Sequence, residues 1–132
     1  MIMTIVKEKY SLEYPFKSSV KILFSRLSTP SGLSEWFADD VNAVNDIFTF
    51  QWSMYKQRAR LLNLKDSHFV RFQWIDFETN TEDDYFEFKI SQDPLTGEVL
   101  LTITDFAEAK ELQENKELWD MQINELRRML GS

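Results

Sequence analysis

The sequence has no cysteine. That absence excludes disulfide scaffolds, thiolate metal sites and cysteine nucleophiles together. A single histidine, His68, is left for any mechanism that needs imidazole, so multi-histidine metal centres are excluded and a Ser-His-Asp triad would rest on one residue. Glycine and proline number only three each, which excludes collagenous and linker-rich compositions. No apolar run reaches the eighteen or so residues of a membrane span, and the apolar start Met1 to Val6 is followed by charge rather than by a signal-peptide core. A cytoplasmic protein is expected. Basic residues are also in deficit: 15 Lys plus Arg stand against 22 Asp plus Glu, a net charge of −7. Such a surface repels phosphate backbones, so nucleic acid is not an expected partner.

Aromatic residues, in contrast, are abundant. Eleven Phe, four Trp and four Tyr make up 14% of 132 residues, and each ring buries a large area whether it fills a core or lines a cavity. The length suits a single domain over residues 1–132, with no repeat, low-complexity tract or linker to mark a boundary.

The hydrophobic period changes along the chain. Tyr10, Leu12 and Tyr14 alternate with Lys9, Ser11 and Glu13, which predicts a half-buried strand closed by Pro15. Val20, Leu23, Phe24 and Leu27 then fall on one face of a short helix that Ser18 or Ser19 can cap. Thr29-Pro30 is a start signal for a second short helix, whose buried face would be Leu33, Trp36 and Phe37. From Asp39 to Phe106 the period is two. A turn over Asn42 to Asp46 precedes Phe48, Phe50 and Trp52; Ala59 and Leu61, then Val70, Phe72 and Trp74, continue the alternation. An acidic turn over Glu78 to Asp84 leads to Phe86, Phe88 and Ile90, and a turn over Asp93 to Gly97 leads to Val99, Leu101 and Ile103. This is a meander of one-faced antiparallel strands.

The last period is helical. Asp105 and Glu108 have capping-box spacing, Gly131 sits where a C-terminal cap belongs, and a helix of about 24 residues between them would span roughly 36 Å. Leu112, Trp119, Ile123, Leu126 and Leu130 lie within about 60° of one another around it, a stripe that must be buried. The elements predict an α+β fold: a curved antiparallel sheet wrapped around a long C-terminal helix, with two short helices after the first strand.

Leu27-Ser28-Thr29-Pro30-Ser31-Gly32-Leu33-Ser34-Glu35-Trp36-Phe37-Ala38-Asp39 resembles the signature of START-like (SRPBCC, helix-grip) proteins of the activator-of-heat-shock-ATPase type. Phe48 to Trp52, Val70 to Trp74, and Leu101 to Phe106 with Trp119 and Leu126 stand where that family has its aromatic strands and its last strand and helix. The chain departs from the pattern at Asn45-Asp46, where the family has a glycine. The resemblance implies an internal cavity of the kind used for lipids, sterols and polyketides. It carries over no catalytic residue and no cofactor.

The rings Trp36, Phe50, Trp52, Phe72, Trp74, Phe88 and Trp119 are candidate walls of an apolar pocket, although any one of them can equally be close-packed core. Asn115 and Gln122 lie about 40–60° off the helix stripe, placed to hydrogen-bond a polar ligand group or to meet water. Leu118, Met121 and Met129 form a second, weaker apolar strip suited to a homodimer or partner surface, or to no role at all. His68, Asp39-Asp40 and Glu82-Asp83-Asp84 show no metal or acid–base spacing and are expected to be solvated. Three functions compete: non-enzymatic binding of a small apolar molecule, a chaperone-cofactor type of protein-interaction module, and a cyclase- or hydrolase-type enzyme. Binding is expected, with no metal, and perturbed carboxylates inside the pocket would favour the enzyme.

Overall fold

The computed structural model describes residues 6–75 and 84–131. Among the described residues, seven strands form one open antiparallel sheet in the order β1-β7-β6-β5-β4-β3-β2. The first is β1 (Glu8–Phe16), which buries Tyr10, Tyr14 and Phe16 and leaves Leu12 half-buried. Pro15 does not close it: the residue pairs with Leu100 inside the ladder. As an edge strand, β1 has one side without a neighbour, and there a missing N–H costs no ladder bond.

Helix α1 (Val20–Ser28) is capped by Ser19, whose Oγ accepts the Ile22 N–H at 3.2 Å, and it buries Leu23, Phe24 and Leu27. It stops at Thr29 because the residue before a proline avoids helical ψ. Helix α2 (Pro30–Leu33) is a single turn, capped by Thr29 Oγ1 accepting from Gly32 N at 3.0 Å. Trp36 and Phe37 therefore lie beyond it, in turns that fold back on the Leu33 carbonyl, rather than on a helical face. A Cβ on Gly32 would stand 2.1 Å from the Ser25 carbonyl oxygen, so glycine is what lets α2 pack on α1.

Strand β2 (Asp40–Val44) occupies most of the span expected to be a turn, and only Asn45-Asp46 connects it to β3 (Ile47–Trp52). On this edge strand only Val41 is buried, so its alternation is faint. Asn45 takes φ +55°, a left-handed conformation that asparagine tolerates where the family pattern has glycine. Strand β4 (Tyr55–Lys65) pairs with β5 (Phe69–Trp74) through a bulge: Leu61 faces Phe72 and Asn63 faces Arg71, leaving Leu62 without an opposite residue. The acidic turn expected before β6 (Phe86–Gln92) lies outside the described residues except for Asp84. The turn from β6 to β7 (Val99–Ala107) is held by Asp93, whose Oδ1 accepts from Leu95 N at 2.7 Å and Thr96 N at 3.1 Å.

Strand β7 continues through Asp105, which is therefore a strand residue and not a helix cap. A 3₁₀ turn, Ala109–Glu111, follows, and then helix α3 (Leu112–Leu130), 19 residues rather than about 24. Gly131 at φ 70° caps it as expected. Trp119, Ile123 and Leu126 are buried against the concave face of the sheet; Leu112 and Leu130, at the two ends of the helix, are half-buried rather than buried. Arg127 Nη2 donates to the Pro15 carbonyl at 2.9 Å and ties the end of the helix to β1. No described helix is long and apolar enough to cross a membrane.

Candidate functional site

Period-two alternation aims Phe48, Phe50, Ala59, Val70, Phe72, Phe86 and Phe88 at the same face of the sheet, and the middle of that face is closed. Phe50, Phe72 and Phe88 have no exposed surface and Trp36 is only 6% exposed. Ring contacts explain this: Phe72 stacks on Phe86 with centroids 5.2 Å apart, Trp36 meets Phe88 edge-on at 5.8 Å, and Phe88 meets Trp119 at 5.8 Å. Trp36, Phe50, Phe72 and Phe88 thus pack into the core and are not among the residues that line the cleft below, because these rings meet one another before they meet empty space.

Toward the β3–β4 hairpin, where α3 begins, the packing opens into a cleft of about 730 Å³. Five of the expected residues line it: Trp52, Trp74, Asn115, Trp119 and Gln122. On the sheet side, Trp52 and Tyr55 flank a tight turn and stack at 5.1 Å, with Trp74 6.4 Å from Trp52. The Trp52 indole is oriented by donating its Nε1–H to the Phe37 carbonyl at 3.0 Å. Phe37 and Trp119 stack at 5.9 Å at the back. On the helix side, Asn115, Leu118, Trp119 and Gln122 recur at i, i+3, i+4 and i+7, a flank beside the buried stripe. Leu118 is half-exposed at this mouth, and Met121 and Met129 are exposed further round the helix.

The remaining wall is polar. Asp105, from the end of β7, accepts hydrogen bonds from Trp119 Nε1 at 3.0 Å and the Tyr10 hydroxyl at 3.3 Å through Oδ2, and from Phe106 N at 2.8 Å through Oδ1. Burial pushes its carboxyl above the usual carboxylate range, against the opposing pull of those three donors and of Lys7. Burial, and then the Asp105 charge, likewise pushes the Tyr10 phenol well up. Lys7 pairs with Asp84 at 3.1 Å, and Glu108 and Glu111 complete the rim. Among the described residues, no group of His, Asp and Glu is placed to hold a metal ion. His68 lies in the β4–β5 turn, exposed and away from the cleft, with Nδ1 2.8 Å from the Asp66 carbonyl. Asp39 and Asp40 are also exposed.

Tyr55, Gln57, Tyr85 and Glu111 are among the lining residues that the sequence pattern did not single out, and Asp105 and Glu108, expected to cap a helix, line the cleft instead. Their common signal is position: each stands within three residues of a strand terminus or in a connection, where side chains outrun the packed layer. An antiparallel sheet gripping one long helix, with an aromatic and acidic cleft at one end, defines a helix-grip α+β domain.

The chain belongs to the START-like superfamily, whose domain model matches residues 4–132. A Bacteroides fragilis protein with a solution NMR structure is 45% identical, covering 94% of this chain and 91% of its own, with TM-score 0.68. The Aha1 dimer of Colwellia psychrerythraea is 14% identical over 90% of this chain and 92% of its own, with TM-score 0.77. A Mesorhizobium loti protein is 15% identical, covers 94% and 97%, and has TM-score 0.75. The last two similarities concern the fold alone. No curated protein matches the sequence.

Proposed function

We propose that residues 1–132 act as one cytoplasmic domain that binds a small apolar molecule, lipid-like or aromatic, in the cleft and sequesters it without chemical change. The observation that carries this is the pair of half-buried tryptophans, Trp52 and Trp74, facing a cleft of about 730 Å³ while neighbouring Phe50 and Phe72 are fully packed. Large rings left partly uncovered on an otherwise closed face have apolar area to gain from a ligand. Asn115 and Gln122 supply the few polar groups that would orient it. Enzymatic acid–base work is less well supported: Asp105 is a perturbed carboxyl on the wall, but Trp119, Tyr10 and Phe106 N already engage its oxygens.

The test uses the neutral dye N-phenyl-1-naphthylamine. Saturable fluorescence enhancement at one equivalent, with a rise in melting temperature that grows with dye concentration, is the expected result. Enhancement that never saturates, with no thermal shift, would overturn it.

A second reading, a chaperone-cofactor type of interaction module, draws on Leu118, Met121 and Met129, which stand exposed along one side of α3. One structural neighbour, the Aha1 protein, is described as a dimer, and the same strip would serve a homodimer here. Sedimentation of Met121→Glu beside the wild type separates this reading: a dimer lost in the variant supports it, and a monomer in both sinks self-association.

A further inference from the structure

We infer that the cleft selects ligands carrying a protonated amine on a flat apolar body and discriminates against apolar carboxylates. The inference rests on the binding reading above and adds the charge of the ligand to it. Among the described residues, the lining contains four carboxylates, Asp84, Asp105, Glu108 and Glu111, against one ammonium, that of Lys7. Lys7 is itself 3.1 Å from Asp84, so these two lining charges offset each other and the acidic balance rests on the other three carboxyls. The side chain of Asp84 is 13% exposed and that of Glu108 is 25% exposed, which places both in a medium where charges are less screened than on open surface. The cation that Glu108 meets, Lys110, extends into solvent with its side chain 79% exposed.

The apolar half of the lining has the same sign of preference. Phe37, Trp52, Tyr55, Trp74 and Trp119 offer ring faces, and the faces of aromatic rings carry negative potential that attracts a cation. A carboxylate entering the cleft would meet the like charges of Glu108 and Glu111 at the rim and the ring faces, with no arginine among the lining residues to receive it. An ammonium would meet carboxylates at the rim while its apolar body lay on Trp52 and Trp74. The neutral amides Gln57, Asn115 and Gln122 accept from an N–H as readily as they donate, so they do not oppose this preference.

Calorimetric titration with three probes of one shape, 1-naphthylmethylamine, 1-naphthalenemethanol and 1-naphthoate, tests the inference at neutral pH. The amine is expected to bind at least about tenfold more tightly than the carboxylate, with the alcohol between them. The gap should narrow in 0.5 M NaCl and in the double variant Glu108→Gln, Glu111→Gln, whose fold is checked by its unchanged melting curve. Carboxylate binding as tight as the amine, or a gap indifferent to both salt and the variant, would overturn the charge preference while leaving apolar binding intact. Failure of all three probes to bind would overturn the inference together with the binding reading.

Discussion

The indole N–H of Trp119, in the second turn of α3, reaches Oδ2 of Asp105, at the end of β7, at 3.0 Å. The same oxygen accepts the hydroxyl of Tyr10 from β1, so one carboxyl joins the edge strand, its neighbour and the helix. The Trp119 ring itself is buried and touches Phe37, Phe86 and Phe88.

Trp119→Ala should therefore cost about 3–5 kcal/mol, the range for large aromatic core truncations. Trp119→Phe keeps a ring but removes a donor from a buried carboxyl, and should cost about 1–3 kcal/mol. Urea denaturation measures both. A Trp119→Phe variant as stable as the wild type would mean that the Asp105 contact contributes nothing measurable.

Asp105 also predicts a pH dependence. Burial holds its carboxyl above the ordinary value in the folded chain, so folding favours the protonated form. The stability gained from protonation is complete below the unfolded value, about 3.9, and is lost as pH rises through the folded value. Wild type should lose stability relative to Asp105→Asn as pH is raised from about 4. Urea midpoints at a series of pH values give the difference, and a wild type that gains on the variant over that range would contradict the dominance of burial.

Phe50 and Trp74 should respond in opposite ways to replacement by leucine. Phe50 is fully buried, so Phe50→Leu should cost about 1–3 kcal/mol and leave dye affinity nearly unchanged. Trp74, on the cleft wall, should lose several-fold in dye affinity with a smaller stability cost. Paired melting and dye titrations decide; a larger affinity loss in Phe50→Leu would place the binding surface elsewhere.

Gly32→Ala should destabilise the protein by about 1–3 kcal/mol through overpacking, since the added methyl would press on the backbone of α1 at Ser25 and Arg26. Helix propensity alone would favour alanine at this position, so a neutral or stabilising result in thermal denaturation would show that α2 shifts freely on α1.

Phe50 and Trp52 also show what a sequence reveals and what it withholds. They are two residues apart on β3 and share one face, which alternation makes plain; one is sealed and the other stands half-buried at a cleft. Alternation reports the face of a strand but not the point along it where the helix departs. The same limit separates Phe72 from Trp74 on β5. The helix stripe was legible because Trp119, Ile123 and Leu126 repeat at helical spacing, whereas the helix start was not, since Asp105 and Glu108 have the spacing of a cap while serving a strand and a rim. Strand β2 was hidden by its edge position, with one buried side chain to mark it.

The unopposed Leu62 on β4 has a consequence for how this strand tolerates changes in chain length. Before it, the odd-numbered Ala59 and Leu61 turn inward; after it, the even-numbered Leu64 faces Val70 on the same side. Loss of Leu62 would erase the bulge and keep both flanking stretches in frame with β5, whereas loss of Arg60 would leave two like-facing residues adjacent and turn part of the strand inside out. Of all single-residue deletions in the strand interior, the one at Leu62 should be the most readily refolded, a ranking that a deletion scan read by expression and melting temperature would reveal.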